Sequence, residues 1–120
     1  MSTPEQPARL ATQRNRRLSR RLLAQRGIKA ECRRGSLDLG KDLALAVLDI
    51  SEDGIRLVLR EPVKEKEEVC LTLTAATYGR PLKRLGSVAW AVASAEGTFC
   101  AGVRLYKRLT YAELSRLVRP

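Results

Sequence analysis

Leu48-Asp49-Ile50-Ser51-Glu52-Asp53-Gly54-Ile55-Arg56-Leu57 decides how this chain is read. It predicts a strand, a tight polar turn and a second strand. Leu43 to Leu48, just before it, are all apolar and strand-like. After it, Ile55, Leu57 and Leu59 alternate with Arg56, Val58 and Arg60 at the period of a strand. The turn has the form Asp-x-Ser-x-x-Gly. Asp49 and Ser51 are short acceptors that can bond nearby backbone N–H groups, and Gly54 can take a positive φ. In an arbitrary sequence such a turn is a hairpin connection and nothing more. Here a dense arginine cluster, Arg16 to Arg21, stands upstream of it.

That cluster dominates the charge of the molecule. Of a formal net charge of +10, the first 34 residues carry +8, from ten Lys and Arg against Glu5 and Glu31. Such asymmetry points to an anionic partner: nucleic acid, a membrane surface or a phosphorylated small molecule. Arg14 to Arg26 places Leu18 and Leu22 one helical turn apart, with Leu10 extending the row, so the segment reads as a short helix with a narrow apolar face or as an irregular arm. Arg16 and Arg20 are four apart, as are Arg17 and Arg21. On a helix each pair sets two like charges on one face, which is unfavourable unless an anion sits between them.

The remaining bulk properties narrow the class. A chain of 120 residues makes one domain with a tail. No apolar run approaches the ~18 residues that cross a bilayer. Met1 to Pro7 is polar and lacks the apolar core of a secretory signal, so the expected location is cytoplasmic. Cys32, Cys70 and Cys100 are far apart in strand-like segments and read as small buried hydrophobes, not as a disulfide set or a metal site. Histidine is absent, and no nucleophile–base pair, phosphate-cradling glycine loop or carboxylate dyad stands out. An enzyme, a metal and a cofactor are therefore not expected.

Residues 1–13 read as a disordered tail and 14–26 as a flexible basic arm, with the folded part over 27–120. Ile28, Ala30 and Cys32 alternate with Lys29, Glu31 and Arg33 in a half-buried strand, and Gly35 to Asp42 is a loop. The hairpin around Asp49 follows. Val69, Leu71 and Leu73 then alternate with Cys70, Thr72 and Thr74, and Ala75 to Lys83 reads as a loop carrying Gly79 and Pro81. Leu85 to Ala93 is strand-like with Val88, Trp90 and Val92 on one side. It forms a hairpin through Gly97 with the strand containing Phe99, Ala101, Val103 and Leu105. Thr110 and Glu113 form a capping box for a last helix with Leu114, Leu117 and Val118 as its apolar stripe. Six short strands and one helix predict an all-β, six-stranded antiparallel β-barrel, with the helix covering one opening or edge.

At this point the chain resembles the PilZ domain family. The resemblance rests on an ordered set: Arg-x-x-x-Arg, available as Arg16–Arg20 or Arg17–Arg21, then Asp49-x-Ser51-x-x-Gly54 at a strand junction, then Gly86-Ser-Val-Ala-Trp90 and Gly102-Val-Arg-Leu-Tyr106, similar to the family's last two strands. It implies a six-stranded barrel with a C-terminal helix. It also implies binding of cyclic di-GMP and passage of that signal to a downstream protein controlling motility, exopolysaccharide or biofilm. By this resemblance Arg16, Arg17, Arg20, Arg21, Asp49, Ser51 and Gly54 are ligand-binding residues, and Arg17 with Arg21 is the register that keeps the arm closest to the barrel. Trp90 is either a stacking wall at the same rim or an ordinary core tryptophan.

The chemistry suits these residue types. Arginine forks two N–H bonds to a phosphate or lies flat on a purine, which lysine does not do. Asp49 and Ser51 can accept from guanine N–H donors. Two other functions fit less well. A nucleotide-independent PilZ-like adaptor has usually lost the arginines, which this chain keeps. For a nucleic-acid binder, aromatic residues are only 4% of the chain, and no stacking pair is visible on a sheet.

Overall fold

The computed structural model describes residues 22–24, 27–75 and 78–118. Seven strands form one antiparallel sheet: β1 (Leu22–Leu23), β2 (Lys29–Arg34), β3 (Ala44–Ile50), β4 (Gly54–Leu59), β5 (Glu68–Ala75), β6 (Tyr78–Ala93) and β7 (Phe99–Leu105). Their order in the sheet is β1-β3-β4-β7-β6-β5-β2. The sheet curls into a half-barrel, and a short helix, α1 (Tyr111–Leu117), packs against its core.

Alternation in the sequence sets which face is inside. Ile55, Leu57 and Leu59 of β4, Val69, Leu71 and Leu73 of β5, and Ala101, Val103 and Leu105 of β7 all turn inward, joined by Cys32, Ile50 and Val88. Each such side chain contributes about 1.5–3 kcal/mol when taken fully out of water. Edge strand β2 approaches the start of β3 through Asp42. Its Oδ1 accepts from the backbone N–H of Cys32 and of Ala44, each at 2.9 Å, and Leu43 N–H donates to the Cys32 carbonyl at 2.7 Å. Burial first, then the nearby Asp42, pushes the Cys32 thiol up to about 12, so it stays an uncharged core group. All three cysteines are free; Cys32 and Cys70 are buried as small hydrophobes, whereas Cys100, expected to be buried too, is half-buried.

The structure differs from the expected six-stranded barrel in two ways. The seventh strand, β1, lies at the end of the basic segment, where Leu22 and Leu23 pair with Ile50 and Asp49. A two-residue strand has no period to read, so sequence pattern does not reveal it. Second, β6 starts at Tyr78, inside the stretch expected to be a loop, and runs for 16 residues through Pro81. Proline supplies no N–H for a sheet ladder. It is tolerated here because β6 pairs with β7 only from Gly86 onward, which leaves its first half one strand neighbour, β5.

Helix α1 starts as the sequence predicts. The Thr110 hydroxyl accepts from Glu113 N–H at 3.1 Å, and the Glu113 carboxylate accepts from Thr110 N–H at 2.8 Å. The same carboxylate oxygen accepts from Arg84 Nη2 of β6 at 2.5 Å, tying the helix to the sheet. Leu114 and Leu117 are buried beneath. The Thr110 N–H first, and Arg84 after it, hold the Glu113 carboxyl below the ordinary glutamate range. The folded-state pKa is depressed, so the stabilisation is fully present above the unfolded value and is lost as pH falls through the lowered one. Acidification below the ordinary glutamate range is therefore expected to loosen α1 before the sheet. Amide hydrogen exchange of residues 111–117 measures this, and Glu113→Gln should remove the pH dependence.

Candidate functional site

The turn between β3 and β4 is built from its own polar groups. Ser51 N–H donates to the Gly54 carbonyl at 2.8 Å, and Ser51 Oγ lies 3.2 Å from the same oxygen and 3.1 Å from Asp53 Oδ1. Ser51 is only 1% exposed. Backbone acceptors of the turn reach further: the Asp53 carbonyl takes Leu105 N–H at 2.8 Å, and the Glu52 carbonyl takes Leu109 N–H at 2.7 Å. The turn is thus fixed to the end of β7 and to the approach to α1. Gly54 does not use the freedom to take a positive φ. The positive-φ glycines are Gly27, Gly35, Gly40 and Gly97, and Gly54 is not among them; it opens β4 with a strand backbone. It lies directly opposite Arg104 of β7.

Register brings a row of residues across five strands. Leu23 pairs with Asp49, Asp49 with Arg56, Arg56 with Gly102, and Gly102 with Trp90. Directly paired residues share a face, and Arg56 alternates with the inward Ile55 and Leu57, so the row lies on the outer surface of the half-barrel. Asp49 is 6% exposed. Its Oδ2 accepts from Arg56 Nε at 2.8 Å and also from Arg56 Nη2, a fork that orients the carboxylate.

Trp90 is not in the inner core. A bulge between Val88 and Trp90 uses Ala89 as the extra residue, so Val88 turns inward while Trp90 turns out. The indole lies over Gly102. A β-carbon there would stand 2.3 Å from Trp90 Nε1 and 2.6 Å from Cε2, which no real side chain allows. Trp90 is half-buried.

The structure thus brings Asp49, Gly54 and Trp90 onto one surface with Ser51 in the turn beneath. Arg16, Arg17, Arg20 and Arg21 lie outside the described residues. Sequence reasoning missed Arg56 as part of the site. The signal was present, because a four-residue turn from Ser51 to Gly54 makes Arg56 the cross-strand partner of Asp49. An open concavity of about 590 Å³ lies elsewhere, lined by Arg34 and residues 62–67. It shares no residue with the Asp49 row, and its Arg34 is held by Glu67 and the Pro62 carbonyl. Among the described residues no group of three His, Cys, Asp or Glu side chains is placed to hold a metal ion. No helix among them is long and apolar enough to cross a membrane.

Comparison with known families matches the model of the PilZ domain to residues 15–119. A comparison with curated proteins gives no match.

Proposed function

The chain belongs to the PilZ domain family, and from that premise we propose that it is a cyclic di-GMP receptor whose arginine segment closes over the ligand on the Asp49 surface. The observation that carries this reading is β1. Leu22 and Leu23 pair with Ile50 and Asp49, so the basic segment is rooted on the strand that bears the acceptor corner. Arg21 immediately precedes Leu22, and Arg17 lies within about 18 Å of it even on a fully extended chain. Either arginine of the Arg17–Arg21 pair therefore reaches a ligand seated against Asp49, and the Arg16–Arg20 pair is one residue more distant.

The roles divide by chemistry. The arm arginines fork to the two phosphates. Asp49, oriented by Arg56, and the turn set by Ser51 and Gly54 offer acceptors to guanine N–H donors. Trp90 presents an aromatic face. Binding orders the arm and creates a new surface for a downstream protein. Closing a cationic segment on a dianion makes the affinity salt-sensitive. Isothermal titration with cyclic di-GMP, with GTP and cyclic di-AMP as controls, tests the reading. Saturable one-site or two-site binding selective for cyclic di-GMP is expected. No heat and no competition at high protein concentration would overturn it.

A further inference from the structure

The outer surface of the sheet carries a second row of side chains, and this one is apolar. Ala46 pairs with Val58, Val58 with Cys100 and Cys100 with Val92, so the row crosses β3, β4, β7 and β6. Directly paired residues share a face. Val58, Cys100 and Val92 stand two residues from Arg56, Gly102 and Trp90, so the row runs beside theirs, on the side away from the β3–β4 turn. The two bulges of β3 add Leu45 and Leu48, which are 46% and 37% exposed, and Val92 is 56% exposed. With Leu23, opposite Asp49, these are four of the eight exposed large hydrophobics among the described residues. The solvated face of an antiparallel sheet ordinarily alternates to polar residues. Here Leu45, Ala46, Leu48, Val58, Cys100 and Val92 are all uncharged and apolar, and a contiguous patch of that kind marks an interaction surface.

We propose that this face binds a second copy of the chain in a two-fold, sheet-on-sheet dimer. Charge selects the occupant. At a net charge of +10, two copies repel one another where their basic surfaces meet, and an acidic partner is drawn to those surfaces and not to an uncharged row. The nearest ionic groups, Asp49 and Arg56, neutralise each other, and Arg60, next beyond Val58, turns to the Ala44 carbonyl. A two-fold contact sets the same row against itself, and side chains no larger than valine let two sheet faces close to the usual spacing of about 10 Å. The midpoint of the row lies between Val58 and Cys100, so an axis there brings the two Cys100 thiols near one another. Four strands about 4.8 Å apart and about six residues long give a footprint on the order of 400 Å² per copy. That is about half of a standard interface, which makes the dimer weak and reversible. The inference is independent of the receptor reading.

The test is sedimentation equilibrium of the full chain without nucleotide, from micromolar to near-millimolar concentration. The mean mass of wild type should rise from one chain toward two and stop there. Added salt should strengthen association, because it screens the repulsion between two cationic copies. Val92→Glu and Leu45→Glu each set like charges against one another across the axis and should weaken association by more than about tenfold. Two variants on different strands keep the test open if one of them melts early. Leu37→Glu, at a leucine 76% exposed in the β2–β3 loop and off this face, should associate as wild type does. Cys32 and Cys70 are buried, so a short bis-maleimide on the native protein should give covalent dimers through Cys100, and Cys100→Ser should give none. The proposal is overturned if wild type stays monomeric throughout, which leaves the face to a partner of another sequence. It is equally overturned if both glutamate variants associate like wild type, if Leu37→Glu alone loses association, or if salt dissolves the dimer.

Discussion

The double substitution Arg17→Ala/Arg21→Ala is expected to abolish measurable cyclic di-GMP binding while leaving the half-barrel folded. Hydrogen bonds to a charged group contribute about 1.5–3 kcal/mol each. Losing two bidentate arginines thus weakens affinity by at least on the order of a hundredfold, and by more if each fork counts fully. The fold should survive, because the core is made by Ile55, Leu57, Val69, Leu71, Leu73 and Val103, none of them in that segment. Arg16→Ala/Arg20→Ala is the matched control. It removes the same charge and leaves the other register in place. A large loss from the control with little from the first pair would reverse the assignment of register. Equal, modest losses from both would mean that the segment acts as a diffuse cation, and the steep salt dependence expected of specific phosphate contacts would then be shared evenly between the pairs.

Gly102→Val should have the largest effect of any single change on the sheet surface. Valine cannot coexist with the indole, since its β-carbon alone would lie 2.3 Å from Nε1 and 3.0 Å from Cδ1 of Trp90. Either the indole leaves its seat or β7 shifts against β4 and β6. Overpacking of this kind typically costs about 1–3 kcal/mol, which lowers the melting temperature by roughly 3–15 °C in a domain of this size. Trp90 is the only tryptophan, so its emission reports the event without labelling and should move to longer wavelength. Cyclic di-GMP affinity should fall in parallel, because the aromatic face is lost. Unchanged emission with unchanged melting would show that the indole does not rest on Gly102 in solution.

The features legible in the sequence were those with a period or a fixed local chemistry. The alternation of Ile55, Leu57 and Leu59 gave β4 and its inward face. Thr110 and Glu113 announced the start of α1 through reciprocal bonds that depend on residues three apart and on nothing distant. The features that escaped depend on neighbours far along the chain. Pro81 reads as a breaker until β6 is seen to have one strand partner at that point. Trp90 reads as a companion of Val88 until the extra residue, Ala89, turns the strand over. The freedom of Gly54 to take a positive φ suggested a turn residue, whereas it opens β4 with a strand backbone opposite Arg104. Arg56 was visible as a polar residue in an alternating strand, and only pairing across the hairpin identifies it as the clamp on Asp49.

One contact has a wider consequence for how a signal leaves the domain. Ala24, just past β1, forms an isolated bridge with Val118, just past α1. The point where the chain enters the half-barrel is therefore in backbone contact with the point where α1 ends. Under the reading proposed above, a ligand that draws on the entering segment would load the end of α1 through this bridge. Relayed motion at that node needs no path through the packed interior, and a reporter pair placed on the two flanks would register it as a change in separation.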